Sequence, residues 1–283
     1  MTRYVLAAGR PILLRPDDSV QLGWDPRRAV LVRPPAGMRQ AQLADLLRAL
    51  QAGATHDELL TAAGTFDDGA EGIDELIGAL TEAGMLTTLA AAPPRPTRSA
   101  SIRVHGRGPL SELLTNGLRC SGARVRHSTH PHTRNVAAST DLVVLADYQM
   151  SDPRLLQELH RCGIAHLPVR VRDGAGLVGP LVVPGLTSCL HCADLHRADR
   201  DAAWPAVATQ LRGAVGSASR ATILATAALA MRQVDLVIRA VSHSGGTQPA
   251  PEAPPTLNTT LELDADGYAI AARHWSRHPD CPC

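Results

Sequence analysis

Two cysteine pairs that lie far apart in the chain place the tightest constraint on how it can fold. Cys189 and Cys192 form a Cys-x-x-Cys pair, and Cys281 and Cys283 form a Cys-x-Cys pair. Thiolates at these spacings can bind one metal ion, and two such pairs complete a tetrahedral site with no open position. We therefore predict a structural zinc ion at these four cysteines, which would fasten a C-terminal hairpin to the rest of the protein.

Other roles for the cysteines are also open. Cys189 and Cys192 could form a redox pair with the tail thiols free, although no thioredoxin-like strand precedes the motif. Flanking histidines are candidate substitute ligands, although a solvated or supporting role is the more common one for them. These histidines are His191, His274 and His278. Cys120 and Cys162 are expected to be small buried hydrophobic residues.

The sequence contains no lysine, so all 28 of its basic residues are arginine. A Schiff-base lysine, a lysine general base and a phosphate-loop lysine are thereby excluded. The 28 basic residues oppose 27 acidic ones for a net charge of +1, and only 2% of residues are aromatic. Nucleic acid is not an expected partner for a chain with so little net charge and so few stacking side chains.

The apolar stretches of the chain predict neither a signal peptide nor a membrane span. The first meets Arg10 and Pro11 before a signal-peptide core could form. The longest, Ala218 to Val241, is interrupted by charged residues and is expected to be a buried or half-buried helix. We expect a cytoplasmic protein, where cysteines favour metal binding or free thiols over disulfides.

A proline-rich stretch, Ala90–Ser99, divides the chain, because proline and small residues there sustain neither helix nor strand. The prediction is a small domain over residues 1–90, a linker over 91–99 and a larger domain over 100–283.

Three strands followed by three helices are predicted in the small domain. Apolar runs at Pro11–Arg15, Val20–Trp24 and Ala29–Arg33 are separated by turn-forming clusters and predict a three-stranded meander. Apolar residues then recur at helical spacing three times, with Thr55 as a cap for the second helix. This order predicts a winged-helix-like α+β unit.

Strands and helices alternate in the larger domain, which predicts an α/β, Rossmann-like fold with a mostly parallel sheet. The predicted strands are Ile102–Val104, Arg124–Arg126, Asp141–Ala146 and His166–Arg172. The zinc-stapled hairpin, Thr256 to Leu263 and Tyr268 to Trp275, would follow a long helix.

A short glycine-containing turn follows the first of these strands. Gly106 and Gly108 precede a helix, as in a degraded dinucleotide turn, although a plain tight turn fits equally well. Asp147 follows the third strand, where open α/β sheets place ligand contacts, and an exposed loop carboxylate is the alternative. An NADP-linked oxidoreductase has little support, because the glycine pattern is not intact. In that interpretation Arg124 or Arg126 would bind the 2′-phosphate.

The small domain also has the features of a peptide-binding surface. Its third strand could accept an extended peptide as an added strand, beside an apolar face of its third helix. The candidate residues are Val30, Leu31, Val32, Ile73, Leu76, Ile77 and Leu80. The alternative, favoured by pattern alone, is that these apolar helix residues form the domain core.

Residues 10–88 resemble the PqqD-like recognition element of ribosomal-peptide biosynthesis, through RPILLRPDDSVQLGW, AVLVRPP and QLADLLRALQAGATHDELL. That resemblance implies a domain that captures a leader peptide along its third strand and third helix. Residues 100–283 resemble the ThiF/MoeB group, relatives of ubiquitin-activating enzymes, through HGRGPLSELL, DLVVLAD and the cysteine segments. The stretch from Gly179 to Trp204 resembles the actinobacterial ThiF-like proteins that accompany azoline-forming cyclodehydratases.

This second resemblance implies zinc at the four cysteines, an ATP loop at Gly106 and Gly108, a magnesium-binding Asp147, and dimerisation. Several positions depart from the family pattern. The tail is Cys-x-Cys rather than Cys-x-x-Cys, Ser111 stands where a glycine is usual, and both the lysine and the Asp-x-Asp feature after the second strand are missing. Losing several charge-assisted phosphate contacts costs orders of magnitude in rate, so ATP chemistry is not expected.

The leading hypothesis is a leader-peptide-binding partner protein in the biosynthesis of ribosomally made azole- or azoline-containing peptides. It would deliver the precursor to a separate YcaO-type cyclodehydratase. The rival is a ThiF/MoeB-type adenylyltransferase that activates a peptide or carrier C-terminus, with Arg103 or Arg107 in place of the missing lysine.

Overall fold

The computed structural model describes residues 2–7, 9–64, 69–89, 98–129, 139–243 and 252–283. The chain separates into two compact units, Met1–Arg95 and Pro96–Cys283. Each unit has its own hydrophobic core. Residues 90–97, most of the predicted proline-rich linker, lie outside the described residues.

The smaller unit contains two small antiparallel sheets. The three predicted strands form one of them, in the order β2 (Ile12–Leu14), β3 (Val20–Leu22) and β4 (Val30–Val32). The other was not predicted and consists of β5 (Ala54–Thr55), β1 (Arg3–Leu6) and β6 (Leu86–Leu89). Its strands are two to four residues long and pair across distant parts of the chain, which leaves little local pattern to detect.

Three helices complete this unit, and their apolar faces form most of its core. They are α1 (Gln40–Ala52), α2 (His56–Ala63) and α3 (Gly69–Glu82). Thr55 caps α2 as predicted: its hydroxyl accepts from the Glu58 N–H (3.2 Å), and the Glu58 carboxylate accepts from the Thr55 N–H (2.9 Å). The winged-helix-like description of the unit stays a prediction.

The larger unit is built on a mixed seven-stranded sheet in the order β13-β12-β11-β10-β9-β7-β8. Strands β8, β7, β9 and β10 form a parallel half of the sheet that ends at the β8 edge, as predicted, and β11, β12 and β13 add antiparallel pairings on the other side. In chain order the strands are β7 (Ser101–His105), β8 (Arg124–Ser128), β9 (Leu142–Ala146), β10 (Ala165–Arg172), β11 (Ala175–Val178), β12 (Thr259–Asp264) and β13 (Ala269–His274).

The described residues of this unit contain five α-helices: α4 (Pro109–Gly117), α5 (Pro153–Arg161), α6 (Leu190–Ala198), α7 (Trp204–Gln210) and α8 (Arg220–His243). Within the described residues, α8 is the one helix that is long and apolar enough to span a membrane by length and composition. It packs on β10 and β11 and buries Ala227, Ala230 and Val234 in the core. Its burial agrees with the expected core helix.

The strand order creates a crevice at one edge of the sheet. β7 lies between β8 and β9, so the chain reverses direction across the sheet at the β7–β9 boundary. Open α/β folds bind ligands at such a switch point, outside the carboxyl ends of the strands. The turn after β7 and Asp147 after β9 therefore face the same crevice.

Two predictions about buried cysteines are wrong. Cys120 and Cys162 are exposed. Cys120 ends the short turn after α4, and Cys162 caps the C-terminus of α5, where the apolar stripe of each helix has already ended.

Candidate functional site

Four cysteine sulfurs from two distant segments meet in one cluster of the larger unit. The Sγ atoms are 3.8 Å apart for Cys189 and Cys192, 3.5 Å for Cys189 and Cys281, and 3.4 Å for Cys192 and Cys283. All four lie within 4.8 Å of one another. Four sulfurs at about 2.3 Å from a tetrahedral zinc ion lie about 3.8 Å from one another. The donor set and its spacing therefore fit a metal ion such as zinc.

The fold brings these cysteines together by fixing the segment before α6 and the segment after β13. Cys189 is the residue that precedes the first turn of α6, and Cys192 lies in that turn. Asn258 connects the two regions, because its side-chain oxygen accepts from the Ser188 N–H (2.7 Å) and its carbonyl accepts from the Trp275 N–H (2.7 Å). The tail is thus held beside α6 by groups other than the cysteines.

Burial and nearby hydrogen bonds act unequally on these thiols. Burial raises the pKa of Cys189, and it raises the pKa of Cys281 to about 11. Burial also opposes ionisation of Cys192, but hydrogen bonds from the His278 and Cys189 backbone lower its pKa to about 7. Metal binding requires thiolates and releases their protons, so an ion at this cluster would draw all four into the ionised form.

Histidines near the cluster do not replace a sulfur ligand. His274 and His191 are exposed. His196, Asp199 and His278 also lie close enough to one another to hold a cation. However, the Asp280 N–H donates to His278 Nδ1 (3.1 Å), so Nε2 carries the ring proton and donates to Asp199 (2.9 Å). The His278–Asp199 hydrogen bond therefore joins the tail to the end of α6, and His196 Nε2 lies 3.2 Å from the Ser276 carbonyl oxygen.

The turn after β7 is closed by a carboxylate of the chain itself. Asp147 is 1% exposed, which excludes the exposed-loop interpretation. Its Oδ1 accepts from the Leu110 N–H (2.9 Å) and its Oδ2 from the Ser111 N–H (3.2 Å), at the N-terminus of α4. The first N–H groups of a helix are where phosphate binds in nucleotide folds.

The two glycines of this turn make room for Asp147. A Cβ atom on Gly106 would lie 2.5 Å from the Ala146 carbonyl oxygen, and one on Gly108 would lie 2.8 Å from the Asp147 carboxyl carbon. The Ser111 hydroxyl bonds to both backbone groups of Gly108. The first N–H groups of α4 therefore already have an acceptor, and the chain has no lysine.

A cavity of about 530 Å³ lies at the switch point beside the turn. Burial, together with repulsion from Arg103, lowers the pKa of His105 in its wall to about 4, so this imidazole is neutral at pH 7. The two arginines proposed to replace the missing lysine do not line this cavity. Arg103 is buried with its Nε donating to the Ser128 hydroxyl (2.7 Å), and Arg107 is exposed. Arg124 and Arg126 are also exposed, on β8.

β4 is an open edge of its sheet, and the strand register shows which amides face outward. The Arg15 N–H bonds to the Ser19 carbonyl and the Gly23 N–H to the Pro11 carbonyl, so odd-numbered residues of β3 bond to β2. The even-numbered residues of β3 then bond to β4, where Val20 pairs with Val32 and Leu22 with Val30. Leu31 lies between Val30 and Val32, so its N–H and carbonyl point away from β3 to the open edge.

The outer face of this sheet carries exposed apolar side chains. Leu31 is 54% exposed and Leu13 is 39% exposed, and both lie opposite Gln21 on the same face. Trp24, in the turn after β3, is 77% exposed. The helix residues predicted beside this strand are instead buried in the unit's own core, which supports the alternative interpretation of them: Ile73, Leu76, Ile77 and Leu80.

No family model matches the chain, and no curated protein matches it. Among solved structures, the chain is similar to the heterocyclase TruD, with 17% identity and a TM-score of 0.67 over 100% of this chain and 42% of that one. It is also similar to E. coli MccB with ATP, with 14% identity and a TM-score of 0.60 over 99% of both chains. A third structure, the microcin C7 biosynthetic enzyme MccB with N-formylated MccA, has 12% identity and a TM-score of 0.60.

The chain therefore spans about two fifths of the length of the heterocyclase and nearly all of MccB. At these identities the likeness concerns the fold alone. It supports a shared fold for these chains.

Proposed function

We propose that this protein binds the leader segment of a ribosomally made precursor peptide and presents that peptide to a separate enzyme that forms azoles or azolines. The observation that carries the proposal is the open edge of β4, where Leu31 offers an outward N–H and carbonyl beside exposed apolar side chains. The likeness to a heterocyclase and to a microcin biosynthetic enzyme supports a role in peptide modification.

The leader would add a strand to the β2-β3-β4 sheet alongside β4. Backbone hydrogen bonds at Leu31 would fix the register of the peptide against β4. The apolar face around Leu13 and Trp24 would contact alternate side chains of the peptide. β2, the other edge, is the less suitable strand because α1 packs against it. Exposed Arg28 and Arg33 flank β4, which favours a leader with acidic residues on either side of its added strand.

Zinc would have a structural role in this protein. The proposed ligands are Cys189, Cys192, Cys281 and Cys283, and the four sulfurs leave no position for substrate. The ion would hold the segment after β13 against α6. We propose no chemical step at this site.

The modifying enzyme would be a separate YcaO-type cyclodehydratase. The similarity covers 42% of the TruD heterocyclase chain. The carboxylate of Asp147 at the α4 N-terminus supports a protein that performs no ATP chemistry itself. A cytoplasmic location and a homodimer are further predictions of this proposal.

Calorimetry of the full chain with a synthetic leader peptide, taken from a precursor encoded beside it, tests the proposal. We expect saturable binding that Leu31→Pro weakens at least about tenfold, because proline removes the outward N–H. Proline at an outward edge position leaves the ladder to β3 intact. Val32→Pro would instead break that ladder, since Val32 bonds inward.

Leu31→Ala is the matched control, because it shortens the side chain but keeps the N–H. It should bind more tightly than Leu31→Pro. Equal binding by wild type and Leu31→Pro, or no binding of any precursor encoded nearby, would reject the proposal.

A ThiF/MoeB-type adenylyltransferase is the second candidate function. It is favoured by the similarity to MccB with ATP, which extends over 99% of both chains. Magnesium- and peptide-dependent exchange of pyrophosphate into ATP, abolished by Asp147→Ala, would establish it in place of the binding role. We expect no exchange above the rate without protein.

A further inference from the structure

The larger unit contains a second cavity, of about 760 Å³, beside the cysteine cluster. Helices α5, α6 and α7 line it, and its walls are mostly apolar. Cavities that bind small molecules usually measure about 300–1,000 Å³ and combine apolar walls with a few fixed polar groups.

Arg170 is the distinctive polar group in the wall. It directly follows Val169, the last residue of β10 that pairs with β9, and so stands at the carboxyl end of the parallel strands. Its Nη1 donates to the Gln149 carbonyl (2.9 Å). Within the described part of the chain, no carboxylate lies within ion-pair distance of this guanidinium. Burial, with repulsion from Arg197, lowers the pKa of Arg170 to about 10, so it is charged at pH 7.

The other charged groups of the cavity are either matched or at its rim. Arg197 pairs with Asp194 (2.8 Å), and its guanidinium lies over the Trp204 ring. Asp194 also accepts from the Trp204 indole N–H (3.3 Å). Arg212 is exposed, and burial lowers the pKa of His160, which makes that imidazole neutral at pH 7. Arg170 is therefore a half-buried guanidinium in this wall that has no carboxylate partner among the described residues.

We propose that this cavity binds an organic carboxylate with an apolar body, and that Arg170 pairs with the carboxylate. One guanidinium balances one negative charge and offers a fork of donors that matches a carboxylate. A phosphate dianion would need more cations than the interior provides. The ligand could be the C-terminal residue of a peptide or a free carboxylic acid, since both present the same chemistry.

Ligand-observed NMR titration of the full chain with N-acetyl-leucine and with N-acetyl-leucinamide tests the carboxylate requirement. We expect saturable binding of the acid and at least tenfold weaker binding of the amide. A tripeptide ending in leucine distinguishes the sources: tighter binding than N-acetyl-leucine points to a peptide C-terminus, and equal binding to a small acid. Either result upholds the carboxylate site.

Variants then place the binding at Arg170. Arg170→Gln should weaken binding of the acid at least tenfold, and Arg170→Lys should restore part of it. Arg172→Gln is the matched control, because Arg172 lies on the same strand, pairs with Glu262 (3.0 Å) and does not line the cavity. Zinc content and urea unfolding identify any variant that fails to fold. If Arg170→Gln fails to fold, binding by Arg170→Lys is compared with wild type instead.

Three results would overturn the inference: no saturable binding of any carboxylate probe, equal binding of acid and amide, or displacement of the acid by inorganic phosphate. Arg170 is not part of β4. Failure here therefore leaves the leader-binding proposal standing, and failure of leader binding leaves this one standing.

Discussion

Two buried histidines of the larger sheet are held in the neutral form by their surroundings. His105 ends β7 and His166 lies near the start of β10, and burial lowers the pKa of each to about 4. His166 Nδ1 lies 3.1 Å from the Ile164 carbonyl, and no partner for its Nε2 is found in the described part of the chain. A proton added to either ring would have to be buried.

These histidines predict a loss of stability in mild acid. The unfolded chain takes up protons near the ordinary pKa of 6.5, whereas the folded chain does so only near 4. The stability present at pH 7 is therefore lost as pH falls from about 6.5 to about 4, by roughly 2–3 kcal/mol for each histidine. Urea unfolding at pH 7 and pH 4.5 measures the change. His166→Leu should reduce it, and an unchanged difference would show that His166 does not titrate as described.

At the level of residues, spacing predicted which side chains would meet but not what they would do. The four cysteines met as their pattern indicated. Gly106, Gly108 and Asp147 also met, yet the sequence did not reveal that the Asp147 carboxylate accepts from the α4 backbone. Arg170 was missed, because its alternating strand pattern resembles any half-buried strand and does not indicate a cavity.

Asp147 caps the N-terminus of helix α4, although it lies 36 positions after Ser111 in the chain. Asp147 supplies both carboxylate oxygens to that cap and has a positive φ of 72°. Asparagine tolerates this conformation and keeps an acceptor, and glycine tolerates it but has no side chain. Comparing the two substitutions therefore distinguishes the stability lost with the helix cap from any effect of backbone strain.

We expect Asp147→Gly to lower the free energy of unfolding by about 1–2 kcal/mol, as the loss of a helix cap does. Asp147→Asn should cost less than half of that. Urea unfolding of the full chain measures both. If Asp147→Gly were as stable as wild type, the carboxylate would not be serving as the cap.

Elements with strong local patterns were predictable, and those defined by distant pairing were not. The meander β2-β3-β4 and the helices around it follow from turn residues and helical spacing. β1, β5 and β6 gave no such signal, because each is short and pairs only with distant strands. The pairing of β11 with β12 likewise depends on a hairpin that returns more than 80 residues later.

The whole chain consists of two compact units, and the proposed zinc ion belongs to the larger one. Trp275, which is 5% exposed and donates to the Thr260 hydroxyl (2.9 Å), lies in the segment that the cysteine tail follows. Loss of the ion should loosen this segment and leave the smaller unit unchanged.

We expect about one zinc ion per chain by elemental analysis. Cys281→Ser should lower the zinc content and the unfolding midpoint of the larger unit. Cys120→Ser, which replaces an exposed cysteine outside the cluster, should change neither. Full zinc content in Cys281→Ser would contradict the four-cysteine site.

The most direct test of whether the protein binds a peptide without activating it is amide hydrogen exchange of the full chain. The precursor peptide and magnesium ATP are added in turn. We predict that the peptide slows amide exchange at Leu31 on β4. ATP should not change exchange at Leu110 and Ser111, because their N–H groups already donate to Asp147. Protection of the Gly106–Ser111 turn by ATP, with no effect of peptide on β4, would contradict this prediction.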